Sequence, residues 1–212
     1  MPPLAYLLTA LGAYLLGSVP FGYLAARLKG VDLRTLGSGN IGATNAMRVL
    51  GRPAGIAVFT LDALKGWTAV ALLPLAVTAG LGAPGPGTGL RILAGVGAVL
   101  GHNYTCWLRF KGGKGIATSA GVLYGLMPVT GLIATAAFFA ALAATRYVSV
   151  GSLAAALSLP VSAWLFEADR RLFALALLLG LLAIFRHRGN LRRLSAGTEP
   201  RLGQKPAAPP PA

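Results

Sequence analysis

Residues Gly37 to Arg48 read GSGNIGATNAMR. They contain a literal G-x-G-x-x-G at Gly37, Gly39 and Gly42, with an acid, Asp62, 20 residues past the last glycine. That fingerprint grips a dinucleotide only when a parallel strand precedes it inside a βαβ unit. The flanks here are of another kind. Leu4 to about Ala26 is a long apolar run, and Pro53 to Ala79 is a second. Each is long enough to cross a bilayer as a helix, because ~20 residues span ~30 Å. The glycine stretch is therefore a polar island between membrane helices, and the chain is expected to be an all-α integral membrane protein. Locally, the glycines permit positive φ and can turn several N–H groups toward one point. Ser38, Asn40, Thr44 and Asn45 add side-chain donors, and Arg48 adds a planar fork matched to phosphate. A tight turn between two helices would look the same.

Composition agrees with the membrane reading. Of 212 residues, 55% are hydrophobic and 11% charged, against roughly 25% charged in a soluble domain. The net charge of +14 would suggest nucleic acid in a soluble protein. In a membrane protein it points instead to positive-inside topology and to anionic substrates or lipid headgroups, with no nucleic-acid partner. A single cysteine, Cys106, excludes an internal disulfide. No charged side chain precedes Arg27, so the first apolar run lacks the basic region of a cleaved signal peptide and is expected to be a retained span.

Further spans are expected at Leu90–Leu108, Leu153–Phe166 and Leu172–Phe185, with Ile116–Thr145 either one long span or two broken at Pro128. Charge decides between these. With two helices the chain has seven spans, and 15 of its 19 basic residues fall on one side. With one helix they split. The positive-inside rule favours seven, with the N-terminus outside and the C-terminal tail cytoplasmic. Ile116–Leu126 is then only ~16 Å of helix, short for a crossing. Asp62 and Lys65, three apart inside the second span, are expected to pair and face the bundle, as a structural ion pair before a catalytic one. Residues 1–200 are expected to form one domain, and 201–212 a disordered Pro/Ala-rich tail.

The same parity gathers three polar islands on the cytoplasmic face. The second, KGGKG (Lys111, Gly112, Gly113, Lys114, Gly115), precedes an apolar helix, where glycine N–H groups and the helix dipole make an anion cradle. It is not a P-loop: Gly115 follows Lys114 where Ser or Thr is needed, and position 108, where the first glycine belongs, is Leu. RYVSVGS sets Arg146 near the hydroxyls of Ser149 and Ser152. In the third island, RHRGN, His187 and Asn190 are three apart and share a helical face, although a basic juxtamembrane end is also common. His102, near the end of the third span, reads as a hydrogen-bonded structural histidine. There is no H-x-x-x-x-D, no G-x-S-x-G elbow and no cluster with metal-ligand spacing. A small transporter for an anionic lipid or sugar phosphate would share the clustered cations, but no inverted repeat is apparent.

GSGNIGATNAMR, GHNYTCWLRFKGGKGIATS and FRHRGNLRRLSAGTE, in that order between hydrophobic spans, resemble the three motifs of the bacterial acyl-phosphate-dependent glycerol-3-phosphate acyltransferases, the PlsY family. LDALKG (Leu61 to Gly66) and RYVSVGS resemble it too, and the likeness runs from residue 1 to about 200. It implies seven membrane helices in the bacterial cytoplasmic (inner) membrane, with the motifs on the cytoplasmic side. It implies transfer of a fatty acyl group from acyl phosphate to the 1-hydroxyl of sn-glycerol 3-phosphate, giving lysophosphatidic acid and phosphate. No cofactor and no metal are expected. Ser38, Gly39, Asn40, Gly42, Thr44, Asn45 and Arg48 would line a phosphate-bearing headgroup. Lys111 and Lys114, with the backbone of Gly112, Gly113 and Gly115, would neutralise a phosphate, and Arg146, Ser149 and Ser152 would complete its site. His187 and Asn190 would position the reacting groups, and the substrate's own phosphate would serve as base. Functional links to the enzyme that forms acyl phosphate and to the next acyltransferase are implied as well.

Overall fold

A computed structural model describes residues 1–204; the rest of the expected Pro/Ala tail, residues 205–212, lies outside the described residues. These form eleven α-helices and one short 3-10 turn. The first apolar run is α1 (Pro3–Ser18) and α2 (Phe21–Arg27), interrupted at Val19 and Pro20. Proline has no N–H and turns the residue before it away from helical geometry, so carbonyls at the break are left without helical partners. Both are claimed from other elements. The Val19 carbonyl accepts from Lys65 Nζ at 2.7 Å, and the Ser18 carbonyl from the Thr105 hydroxyl at 2.6 Å.

A loop leads to α3 (Ala43–Leu50). Gly51, at φ 96°, then turns the chain into α4 (Arg52–Ala71), which continues as α5 (Leu73–Gly80). The third apolar segment is α6 (Thr88–Asn103), which ends five residues before the expected Leu108; Cys106–Leu108 is a separate 3-10 turn. Pro128 divides the long fourth segment as expected, into α7 (Ile116–Leu126) and α8 (Pro128–Thr145). Next comes α9 (Val148–Phe166), which starts five residues earlier than Leu153, so Ser149 and Ser152 belong to a helix and not to a loop. Their hydroxyls suit that setting, because a serine can donate back along its own helix; Ser152 does so to Val148 O at 3.0 Å. Asp169 caps α10 (Arg170–Arg186) by accepting from Arg171 N–H at 2.9 Å. A 52° bend at His187 leads into α11 (Arg188–Ser195).

Pro3–Arg27, Arg52–Gly80, Pro128–Thr145 and Val148–Phe166 are long and apolar enough to cross a membrane; a fifth crossing is added if the bent pair α10–α11 counts as one span. At 16 and 11 residues, α6 and α7 fall short by length, so a count of seven rests on charge and parity. α1 packs on α6, α4 on α7, and α9 on both α8 and α10. Between α4 and α7 the backbones nearly touch: a Cβ on Gly66 would meet Thr118 O, and one on Gly121 would meet Ala63 O. Small residues at such crossings let membrane helices approach closely. The core between the helices is built on Val70, Ala98, Val122, Leu123, Met127, Leu159 and Leu179. Leu7, Leu132, Leu157, Val161 and Leu165 stay exposed, as lipid-facing positions do.

Candidate active site

One cleft of about 450 Å³ joins two chemically different ends. Its polar end holds Ser38, Asn40, Thr44 and Arg48 from the first island, Lys114 and Gly115 from the second, Ser149 and Ser152 from α9, and His187, Asn190 and Glu199 from the third. Its apolar arm runs past Ile56, Phe59, Phe138, Phe139, Leu142, Leu159 and Leu179. The three islands thus meet at one cleft.

The first island is shaped by its own asparagines. Asn45 is buried; its Oδ1 accepts from Ser38 N–H at 2.9 Å, and its Nδ2 donates to Leu33 O at 3.2 Å and Leu36 O at 2.9 Å. Asn40 Oδ1 accepts from Gly42 N–H at 2.9 Å. Gly37 (φ 59°) and Gly39 (φ 68°) take the left-handed conformation, whereas Gly42, at φ −81°, does not. Asn45 therefore holds the loop that presents Ser38, and its side-chain amide is already engaged. Gly39 supplies the turn and does not line the cleft. Arg48 is half-buried and donates from Nη2 to Pro200 O at 3.3 Å.

The KGGKG island departs from expectation. Gly112 N–H donates to Asn103 O at 3.1 Å and Gly113 N–H to His102 O at 3.0 Å. Arg186 clamps the carbonyls of both glycines with bonds of 2.6–3.1 Å while its guanidinium lies over the Tyr104 ring. These two N–H groups are consumed by the scaffold, so the expected backbone cradle is not formed by Gly112 and Gly113. The loop's role is to aim Lys114 inward, with Gly115, at φ 83°, opening α7. Lys111 points elsewhere and lines a separate pocket. Arg146 is also diverted: its carbonyl accepts from Leu202 N–H at 2.7 Å and its Nη2 donates to Leu202 O at 3.4 Å. Together with the Arg201–Tyr147 hydroxyl bond of 3.2 Å, this ties the segment after Glu199 along the rim. Residues 201–204, placed in the tail on sequence, are thus held against Arg146 and Tyr147.

At the centre, Lys114 Nζ donates to Asn190 Oδ1. Asn190 Nδ2 donates to Glu199 Oε1 at 2.7 Å, and Glu199 Oε2 accepts from Arg193 Nε at 2.7 Å. Burial, with the Arg193, Arg48 and Arg186 guanidiniums against the pull of Glu199, brings the Lys114 ammonium down to about 8. Burial pushes the Glu199 carboxyl up, but Asn190, the adjacent Ser149 hydroxyl and Arg193 outweigh it and hold it below its usual range. Ser149 Oγ is buried beside the Glu199 carboxylate and has no other partner among the described residues. His187 is buried at the start of the bend, and its Nδ1–H donates to Ala183 O at 2.7 Å. Burial, then Lys114, lowers its imidazolium to about 4. It is therefore neutral near pH 7, with Nε2 left as an acceptor.

Asp62, Lys65 and His102 form a buried group in the wall. Asp62 Oδ1 lies 2.7 Å from Lys65 Nζ and 3.5 Å from His102 Nδ1. Lys65 is held by Asp62 and the Val19 carbonyl together. His102 also supports the second island, since a Cβ on Gly113 would strike its ring. Glu199 was the residue that sequence reasoning missed. Its signal was available: it is the only acid after Asp169 in a chain with five.

The profile of the glycerol-3-phosphate acyltransferase family matches residues 7–197. A glycerol-3-phosphate acyltransferase of Geotalea daltonii is 46% identical over 190 residues, covering 89% of this chain and 93% of the relative. One of Synechococcus elongatus is 48% identical over 198 residues, covering 92% and 94%. The crystal structure of PlsY, an integral membrane glycerol 3-phosphate acyltransferase, in its glycerol 3-phosphate form superposes with a TM-score of 0.84 at 39% identity, over 93% of this chain and 96% of that one. Its lysophosphatidic acid form gives 0.81 at 38%.

Proposed function

The chain belongs to the glycerol-3-phosphate acyltransferase family and is an acyltransferase of the membrane; from this we propose that it moves a fatty acyl group from acyl phosphate to the 1-hydroxyl of sn-glycerol 3-phosphate. The products are lysophosphatidic acid and inorganic phosphate. The observation that carries the reading is the two-ended cleft, cationic around Arg48 and Lys114 and apolar from Ile56 to Leu179. It suits two phosphate-bearing substrates, one of which trails a long chain.

In the reaction, the glycerol hydroxyl oxygen bonds to the acyl carbon, the bond from that carbon to the phosphate oxygen breaks, and phosphate leaves. The hydroxyl proton ends on a phosphate oxygen. Acyl phosphate is already activated, so positioning and charge stabilisation carry the rate. Lys114 and Arg48 neutralise phosphate, the Ser38 and Ser149 hydroxyls donate to it, and Asn190 holds Lys114 in place. His187 accepts from the attacking hydroxyl through Nε2. Purified protein given palmitoyl phosphate and glycerol 3-phosphate is expected to release lysophosphatidic acid and phosphate in equal amounts, with no product from palmitoyl-CoA. Equal yield from palmitoyl-CoA would overturn the donor assignment.

We take the enzyme to cross the bacterial inner membrane seven times as one domain, residues 1–200, with the N-terminus outside and the cleft and C-terminus cytoplasmic. It would act between the enzyme that forms acyl phosphate and the next acyltransferase. In a Cys106→Ser background, cysteines at positions 40 and 85 are expected to react with impermeant reagent from opposite faces. Labelling of both from one face would exclude seven crossings.

A further inference from the structure

The residue that the cleft leaves out, Lys111, belongs to a second pocket of about 410 Å³ lined by Tyr23, Arg34, Trp107, Leu108, Arg109 and Lys111. It shares none of these residues with the cleft. Its turn is held in a costly shape. Arg109 (φ 53°) and Phe110 (φ 60°) are consecutive left-handed residues that carry side chains, a conformation that L-residues avoid. Phe110 N–H to Thr105 O at 2.9 Å and Lys111 N–H to Leu108 O at 3.1 Å keep it so. The result is a turn that leaves Trp107 64% and Phe110 63% exposed beside two exposed cations. Among the described residues, neither the Arg109 nor the Lys111 side chain has an ion-pair partner. Across the pocket, Arg34 is oriented by Asp32 at 2.6 Å and by the Tyr23 ring at 5.0 Å.

Exposed aromatics mixed with unpaired cations are what a membrane-water interface selects, and a basic pocket between membrane helices fits an anionic headgroup. We propose that this pocket binds the phosphate of an anionic membrane lipid, at a site separate from the acyl-transfer cleft. The aromatic pair sits at headgroup depth and the three cations surround the phosphate. Because Lys111 is followed directly by Gly112, an occupied pocket steadies the loop that aims Lys114.

The test is native mass spectrometry of delipidated protein in neutral detergent, titrated with phosphatidylglycerol, with phosphatidylcholine, or with inorganic phosphate. Wild type is expected to take up phosphatidylglycerol in preference to phosphatidylcholine. Arg109→Gln/Lys111→Gln should weaken that uptake by about fivefold for each cation removed, while Arg170→Gln/Arg171→Gln leaves it unchanged. Should the double variant not fold, Arg109→Asn serves, because asparagine tolerates the left-handed conformation, and about fivefold weakening is expected. Unchanged phosphatidylglycerol uptake in these variants would overturn the proposal. So would displacement of the lipid by millimolar inorganic phosphate, which would make the pocket a site for free phosphate.

Discussion

Lys114→Ala is expected to lower kcat/KM by about 100-fold while the protein still folds. Loss of a charge-assisted contact to phosphate costs ~1.5–3 kcal/mol, or ~10–100-fold. The upper end applies because the same substitution leaves Asn190 Oδ1 without its donor. The effect depends on pH in a stated direction. With its ammonium brought down to about 8, Lys114 is mostly charged at pH 7 and loses its charge as pH rises through 8. KM for the phosphate substrate should therefore climb above pH 8 in the wild type. A guanidinium stays charged there, so Lys114→Arg, where it retains activity, should flatten the climb. A loss below tenfold in Lys114→Ala, or a flat wild-type profile to pH 9, would remove Lys114 from phosphate binding.

His187→Ala is expected to cost ~10–100-fold, with His187→Gln and His187→Asn recovering most of it. A general base would be worth ~10²–10⁴-fold, and an amide could not replace it. With its imidazolium at about 4, His187 is a weaker base than a phosphate monoester, whose second proton leaves near ~6. The two-unit gap is worth ~2.7 kcal/mol in favour of the phosphate taking the proton. The acidic limb of kcat/KM near pH ~6 therefore belongs to the substrate and should survive in every His187 variant. If His187→Gln were as inactive as Ala and the residual rate had lost that limb, the imidazole would be the base.

Much of this was legible in the sequence, for local reasons. Apolar runs located the long helices, and Pro128 located the break in the fourth segment because proline acts on its immediate neighbours. The spacing of Asp62 and Lys65 was enough to foresee their pairing. What escaped was how the backbone of a polar loop spends its hydrogen bonds. KGGKG reads as an anion cradle until His102, Asn103 and Arg186 are seen to occupy Gly112 and Gly113. The span expected to start at Leu153 left RYVSVGS outside it, yet Ser149 and Ser152 sit in α9. Glu199 lay in a basic stretch that resembled an ordinary juxtamembrane end, and only the fold brings it to Asn190.

A helix broken by proline is usually taken for a hinge. The break between α1 and α2 works in the opposite sense. The carbonyl of Ser18 is held by Thr105, just past α6, and that of Val19 by Lys65 on α4, so the interruption in one helix is riveted to two others. Bending there would strip a buried ammonium of one of its two partners. The first, α4 and α6 segments are thus tied together at the depth where Asp62 and His102 enter the cleft wall, whereas α8, α9 and α10, which carry Phe138, Leu142, Leu159 and Leu179 along the apolar arm, stand outside these bonds.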